Sequence, residues 1–446
     1  MSFKIRAITL GCIAAVGMVT AAQSAEVLGS TLEVYGTLYP ELNRTTYTSG
    51  SAVGTALSNM TKGLVTPGTQ TTLPAAPTAK DQTNWSQSYI GVKGQKGFGD
   101  VTVGYDFQGV LTPNKTLDSS IATGGQQPLF GDTRDAFISL GHKDLGVMQF
   151  GQMDTIYKEY GDRLRMMGVS SSNFTSTSGV LSGVGWKSIT KDVAATPVSC
   201  TAATPTVCTA GTLATSAAGT TSFNTRIGGQ IRYETPVFFN GFQAGLTYRP
   251  DTAKTADRNQ SLSALALRWT SGDYYASAQK EIHTDYRAFS GTDYVEKSTT
   301  ILNRNPHSKD TATRMSFGYK SGPLQLAADF ATLNYTESAV TTGKFQSYKT
   351  NTWQVSADYA IGSQWNVAAN YASGAAGTCA LLGGAACSTT GQGGTLTSLG
   401  AKYNYDKNIG LFAMYGLNHS NDSATFASSA VGGKTTNLGL GVLIKF

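Results

Sequence analysis

Beyond its first thirty or so residues the chain is written in period two. "LEVYGTL" sets Leu32, Val34 and Leu38 against Glu33, Tyr35 and Thr37. "DVTVGYDF" alternates Val101, Val103, Tyr105 and Phe107 with Thr102, Gly104 and Asp106. "TWQVSADYAI" sets Trp353, Val355, Ala357, Tyr359 and Ile361 against Gln354, Ser356 and Asp358. Successive side chains of a strand point to opposite faces, so alternation sustained over about eight to eleven residues specifies a strand with one apolar face. About sixteen such runs occur, near 31–42, 85–96, 100–111, 133–142, 146–154, 225–235, 241–249, 260–270, 273–283, 312–320, 323–335, 349–361, 364–373, 395–405, 408–419 and 435–446.

The connections constrain the fold further. Tight turns such as "KGFGD", "HKDLG", "TSGD", "KSGP", "IGSQ" and "YDKN" take turns with long Ser/Thr/Gly/Ala-rich segments, the longest near 43–84, 155–224 and 284–311. A soluble all-β protein or a propeller accommodates many strands but gives no reason for that rhythm. An up-and-down barrel in an outer membrane does, with tight turns at one rim and long loops at the other. Lipid cannot satisfy an open sheet edge, so the barrel must close. An even strand count brings both ends to the same rim, and "LEVYGTL" is then expected to pair with the tail "LGLGVLIKF".

The tail fits that reading. Leu438, Leu440, Val442, Ile444 and Phe446 form an apolar set for acyl chains, and the Gly-rich set faces the lumen. Phe446 falls at the interfacial belt. Trp353, Trp365, Tyr359, Tyr371 and Tyr403 are assigned to the belt or the lipid face. The opening "MSFKIRAITLGCIAAVGMVTAAQSA" has Lys4 and Arg6, an apolar stretch from Ala7 to about Val19, and then small residues. That is the layout of a secretory signal peptide over 1–25, with Ala22 and Ser24 as alternative cleavage points to Ala25. Residues 26–446 are expected to form one barrel domain.

Composition excludes other classes. The formal charge of +6 includes the two leader cations and is too mild for a nucleic-acid partner. Four cysteines follow the leader: Cys200 and Cys208 in "CTAATPTVC", Cys379 and Cys387 in "CALLGGAAC". No His or carboxylate lies inside either span, so two loop-closing disulfides are expected rather than a metal site. No cofactor is called for.

Several stretches resemble the general, trimeric porins of Gram-negative outer membranes, nearest to the beta-proteobacterial and neisserial branch. They are "LEVYG" (32–36), "SQSYIGVKGQKGFGDVTVGYDFQG" (86–109), "TRDAFISLGHKDLGVMQFGQMD" (133–154), "TRIGGQIRYETPVFFNGFQAGLTY" (225–248) and the tail. The resemblance implies a 16-stranded antiparallel transmembrane β-barrel, three per assembly, whose third loop folds into the lumen and narrows it. That loop corresponds to about 155–224. The terminal Phe446 resembles the signal read by the outer-membrane insertion machinery.

In such proteins basic wall residues face acids on the loop. Arg134 and Arg226 fall on the family's wall positions. Gln230, Arg232 and Glu234 share the face of Arg226, while Ile227, Ile231 and Tyr233 are expected to point outward. For Arg134 parity is poor, because Ile138 lies on its face, so its place rests on the resemblance. Tyr89 stands where the family often has Arg, with Lys93 on its face, and Thr37 where enteric members often have Lys. The loop acids are Asp154, Glu159 and Asp162, mixed with Lys158, Arg163 and Arg165. Parity also turns Asp106, Arg268, Arg314, Asp329, Asp358 and Lys402 inward.

The expected function is passive diffusion of small hydrophilic solutes and ions through a water-filled lumen, with selectivity set by width and charge. A substrate-specific channel is the nearest rival, but no aromatic ladder with polar partners is evident. A barrel enzyme has "EIHTD", with His283 and Asp285, as its best acid/base candidate. An adhesin would suit the long polar loops but leaves an inward third loop unexplained.

Overall fold

The computed structural model describes residues 24–27, 30–48, 51–52, 79–85, 88–111, 130–161, 166–168, 223–252, 254, 259–285, 293–297, 300–304, 307–338, 345–384, 394–420, 430–431 and 434–446. Sixteen wall strands close into one antiparallel barrel. The first two are each broken into segments: β1 (Ser30–Leu38 and Glu41–Thr48) and β2 (Ala79–Asn84 and Tyr89–Phe98). Then come β3 (Val101–Leu111), β4 (Phe130–His142), β5 (Gly146–Asp154), β6 (Arg226–Glu234), β7 (Phe242–Arg249) and β8 (Ser261–Ser271). The wall continues through β9 (Tyr274–Thr284), β10 (Ser308–Ser321), β11 (Leu324–Glu337), β12 (Phe345–Ile361) and β13 (Trp365–Gly374). It ends with β14 (Gly394–Asn404), β15 (Ile409–Ser420) and β16 (Lys434–Lys445). Among the described residues a short helix, α1 (Ile156–Gly161), and a single 3-10 turn (Met166–Gly168) follow β5.

Each strand pairs with its sequence neighbours, and the two ends meet. Thr37 and Leu38 pair with Lys445 and Ile444. Gly36 N–H donates to Phe446 C=O at 2.9 Å, and Phe446 N–H returns a bond to Gly36 C=O at 3.2 Å. Above the kink at Tyr39–Pro40, the upper part of β1 pairs along Leu438–Asn437 and its neighbours in β16. At the tight rim Gly272 and Gly322 take φ of +54° and +55°, a conformation that suits glycine in hairpin turns matching strand twist.

The alternation is realised as an inside-out burial pattern. On β12 Trp353, Val355 and Tyr359 are exposed toward lipid, whereas Gln354, Ser356 and Asp358 are buried in the lumen. The same rule places Leu411 and Tyr415 outside and Phe412 and Met414 inside. The inner face of the wall is therefore largely polar, with two apolar nests, described below.

Two outward assignments are corrected. Ile227 is buried beside Leu262, because Gly228 and Gly229 together oppose Gln152 and form a β-bulge that reverses parity. Ile444 is only 9% exposed, being covered where β16 closes onto β1.

Candidate functional site

The chain turns into the lumen directly after β5. Thr155, fully buried, accepts backbone N–H bonds from Lys158 and Glu159 and donates its hydroxyl to Glu281 at 2.6 Å. Ile156 N–H donates to the Thr247 hydroxyl on β7. Helix α1 is amphipathic over its short length. Ile156, Tyr157, Tyr160 and Gly161 are buried against the wall, and Glu159 is exposed. The apolar side joins Phe223, Ala264, Ala266, Ala312, Leu333, Tyr335 and Tyr348 in one nest. Desolvation in that nest pushes the Tyr157 phenol well above the ordinary tyrosine pKa, so it stays neutral.

Both ends of the inward segment are held by one wall side chain. Arg314 on β10 is fully buried. It donates through Nε and Nη2 to Asp329 Oδ1 at 3.0 and 2.9 Å, through Nη2 to Gly161 C=O at 2.7 Å, and through Nη1 to Asn224 Oδ1 at 2.8 Å. Gly161 ends α1, and Asn224 lies two residues before the start of β6. A Cβ at position 161 would collide with the guanidinium, so glycine is what lets Arg314 reach the carbonyl.

A third anchor lies on other strands. Met167 N–H donates to Asp358 Oδ2 on β12 at 2.7 Å, and Lys402 Nζ on β14 donates to Met167 C=O at 2.5 Å. Met166 and Met167 pack into the second nest, formed by Tyr39, Ala368, Phe412, Met414 and Leu443. Gly400 leaves room for the Met167 side chain, which a Cβ there would strike. The described part of the segment is thus fastened to β10 at Gly161 and Asn224 and to β12 and β14 at Met167.

Charges gather where this segment leaves the wall. Arg226 Nε binds Asp135 Oδ1 at 2.5 Å and its Nη2 approaches Asp154 Oδ1 at 3.2 Å. Lys158 on α1 reaches the same Asp154 oxygen at 3.0 Å. Arg232 lies 3.2 Å from Glu234 and 3.8 Å from Glu159, and its Nη1 donates to Asp154 C=O. Arg268 approaches Glu234 at 3.9 Å and stacks over the Tyr160 ring at 4.3 Å, while Tyr160 donates to Glu234 Oε2 at 3.0 Å. Across β1–β4 the Arg134 guanidinium lies 4.5 Å from the Tyr89 ring centre. Tyr35 donates to Asp106 at 2.5 Å and accepts from Gln108 at 2.8 Å. Lys93 pairs with Glu33 at 3.1 Å and stands 4.5 Å from the Tyr35 ring centre.

Most sequence-derived candidates therefore meet in one region: Arg134, Arg226, Arg232, Lys93, Tyr89, Asp106, Asp154 and Glu159. Arg134 gets there by a bulge, since Arg134 and Asp135 together oppose Gln108 and the parity conflict with Ile138 disappears. Asp154 is the last residue of β5 rather than a loop residue. Asp162, Cys200, Cys208 and Cys387 lie outside the described residues. Cys379 is disulfide-bonded. His283 and Asp285 do not form a pair. His283 binds Glu281 at 2.9 Å beneath Phe223, whereas Asp285 binds His307 at 3.0 Å. Sequence reasoning missed Asp135, which the bulge recruits, and the inward apolar nest around Met167. Its one visible trace was an apolar residue on both faces of "GLFAMYG".

The model of the Gram-negative porin family matches residues 9–423. No curated protein sequence matches the chain. Among solved structures, the anion-selective porin from Comamonas acidovorans superimposes with a TM-score of 0.60 at 14% identity, covering 94% of this chain and 100% of its own. OmpT of Vibrio cholerae in its trimer form gives 0.56 at 15% identity, covering 94% and 99%. OmpF of Salmonella typhi, bound to daunomycin, gives 0.55 at 14% identity, covering 95% and 100%. At such identities these likenesses concern the fold, and fold and family together point to a channel rather than an enzyme.

Proposed function

Because the chain belongs to the Gram-negative porin family, and so forms an outer-membrane channel for passive diffusion, we propose that its neck lies between the α1 segment and the charged wall of β1–β8. The observation that carries this reading is the three-point fastening of the inward segment, at Gly161 and Asn224 by Arg314 and at Met167 by Asp358 and Lys402. Gly161, Met167 and Asn224, held in this way, keep the described part of the segment inside the barrel. Arg134, Arg226, Arg232, Lys93, Tyr89 and Asp106 then line the wall side, with Asp154 at the end of β5 where the segment begins and Glu159 on the segment itself.

Within this neck every arginine of the Arg226–Arg232–Arg268 row stands beside a carboxylate. Opposite charges held a few ångströms apart cancel at the distance of a passing hydrated ion, so ion selectivity is weak while dipolar solutes are oriented. A leader over 1–25 exports the chain, and Cys200–Cys208 and Cys379–Cys387 close two loops. Three copies assemble, as the Vibrio protein does in its trimer form. Phe446 serves as the mark for insertion.

Single-channel recording of the full-length refolded protein in a planar bilayer under a salt gradient tests the reading. Steps grouped in threes with a small reversal potential are expected. Absence of steps from heat-modifiable, folded protein overturns it, as does a reversal potential close to that of an ideal one-sign channel.

A further inference from the structure

We propose that the wall of β1–β4 carries a subsite for small aromatic carboxylates, an inference that rests on the neck assignment above. Two tyrosines from adjacent strands form its base. Tyr35 and Tyr89 meet edge to face, with ring centres 6.0 Å apart and planes at 78°. Each ring carries a cation: Arg134 over Tyr89 and Lys93 over Tyr35, both at 4.5 Å. Tyr35 is oriented through its hydroxyl by Asp106 and Gln108. Asp106 is thereby turned toward the phenol rather than presented as a free anion to the lumen.

The chemistry selects a ligand class. An aromatic face is electron-rich and its edge electron-poor, so rings associate edge to face or offset, and cations settle on the faces. A planar anion can add its ring to the tyrosine pair and its carboxylate to Arg134 and Lys93. Lys93 is held by Glu33, yet the two side chains are 43% and 40% exposed, so an incoming carboxylate can exchange with Glu33 in water. Tyr35, Tyr89 and Arg134 are each partly exposed. A small inorganic anion would find the cations but leave the rings unused. An aliphatic acid of the same charge would do little better, and an aromatic cation would meet Arg134 and Lys93 with the wrong sign.

Benzoate, cyclohexanecarboxylate and benzylammonium separate these cases when added to single channels of the full-length protein. Benzoate is expected to reduce the current saturably, at a half-blocking concentration roughly three- to tenfold below that of cyclohexanecarboxylate, the factor that an aromatic pair typically contributes. Tyr89→Phe should keep that ratio and Tyr89→Leu should bring it close to one. Equal block by the two acids, stronger block by benzylammonium, or an unchanged ratio in Tyr89→Leu each overturns the subsite. The wild-type comparison decides alone if Tyr89→Leu does not fold. Reversal potentials keep the two readings apart. A shift in Arg226→Gln alongside equal block by both acids overturns the subsite alone. No shift in Arg226→Gln overturns the neck assignment beneath it.

Discussion

Replacing Arg314 by Met should release the inward segment while leaving the barrel closed. Arg314 is fully buried and donates to Asp329, Gly161 and Asn224, the last two being the ends of the segment. Hydrogen bonds to a charged donor contribute about 1.5–3 kcal/mol each. Taking the lower value for both ends, because lumen water can replace part of what is lost, gives about 3 kcal/mol of docking energy. At about 1.4 kcal/mol per decade the docked-to-released ratio falls roughly a hundredfold. The fastenings at Thr155 and Met167 remain, so the segment should sample released positions rather than leave the lumen. The assay is single-channel conductance and open-channel noise, with the gel shift of unheated against heated protein as the control for folding. Larger or noisier open levels are expected. Removing one member of a buried pair also strands the other, at a cost of about 3–5 kcal/mol, although Gln354 still donates to Asp329 at 2.8 Å. The double variant Arg314→Met/Asp329→Leu should therefore regain thermal stability yet stay noisy, since neither new side chain can donate to Gly161 or Asn224. Wild-type conductance and noise in a folded Arg314→Met channel would refute the reasoning.

Other consequences follow from the same contacts. Arg226→Gln leaves Asp135 and Asp154 with one cation fewer, so the reversal potential should move toward cation selectivity; a move toward anions contradicts the pairing. Gly36→Leu should impair closure, because a Cβ at 36 would lie 2.6 Å from the Phe446 ring and 2.7 Å from the Tyr89 carbonyl. The yield of heat-modifiable protein after refolding measures this, and an unaltered yield argues against the seam described. Lys402→Met removes the donor to Met167 C=O and should raise gating noise by less than Arg314→Met does, because Asp358 and the methionine nest still hold the turn.

The wall of the barrel was legible because one physical cause writes both the sequence and the fold. Lipid on one side and water on the other enforce alternation, and the expected runs match the wall strands to within a few residues along most of the chain. The pattern fails where that cause stops. The upper parts of β1 and β2, Glu41–Thr48 and Ala79–Asn84, read "ELNRTTYT" and "AKDQTN" and carry no sustained apolar face. The alternation accordingly ends near 42, and 43–84 reads as loop. Parity also fails at bulges. Nothing in "TRDAF" announces that both Arg134 and Asp135 will oppose Gln108, and "RIGGQ" hides a reversal at Ile227 that only its paired glycines hint at. Arg134 and Arg226 sit at or beyond bulges, so the face that alternation gave Arg226 beside Gln230 does not hold, whereas Arg232, Arg268, Arg314 and Lys402 were legible by parity. Their partners were not, because Arg314 meets Gly161 across 153 positions and Lys402 meets Met167 across 235. Period two says which face a residue takes and nothing about what crosses the lumen.

That difference bears on why the proposed neck uses ion pairs at all. Apolar residues in place of Arg314 and Asp329 could stabilise the wall equally well, since desolvation offsets most of what a buried pair gains. They could not specify where a largely polar segment sits within a water-filled lumen. Apolar contact is non-directional, and the nests around Tyr157 and Met167 would tolerate sliding. A guanidinium aimed at one carbonyl and one amide oxygen, together with a carboxylate and an ammonium gripping the two sides of the Met167 peptide units, fixes register as well as contact. The double variant separates the two contributions directly. A stable barrel with an unsteady current would assign packing to the nests and position to the ion pairs.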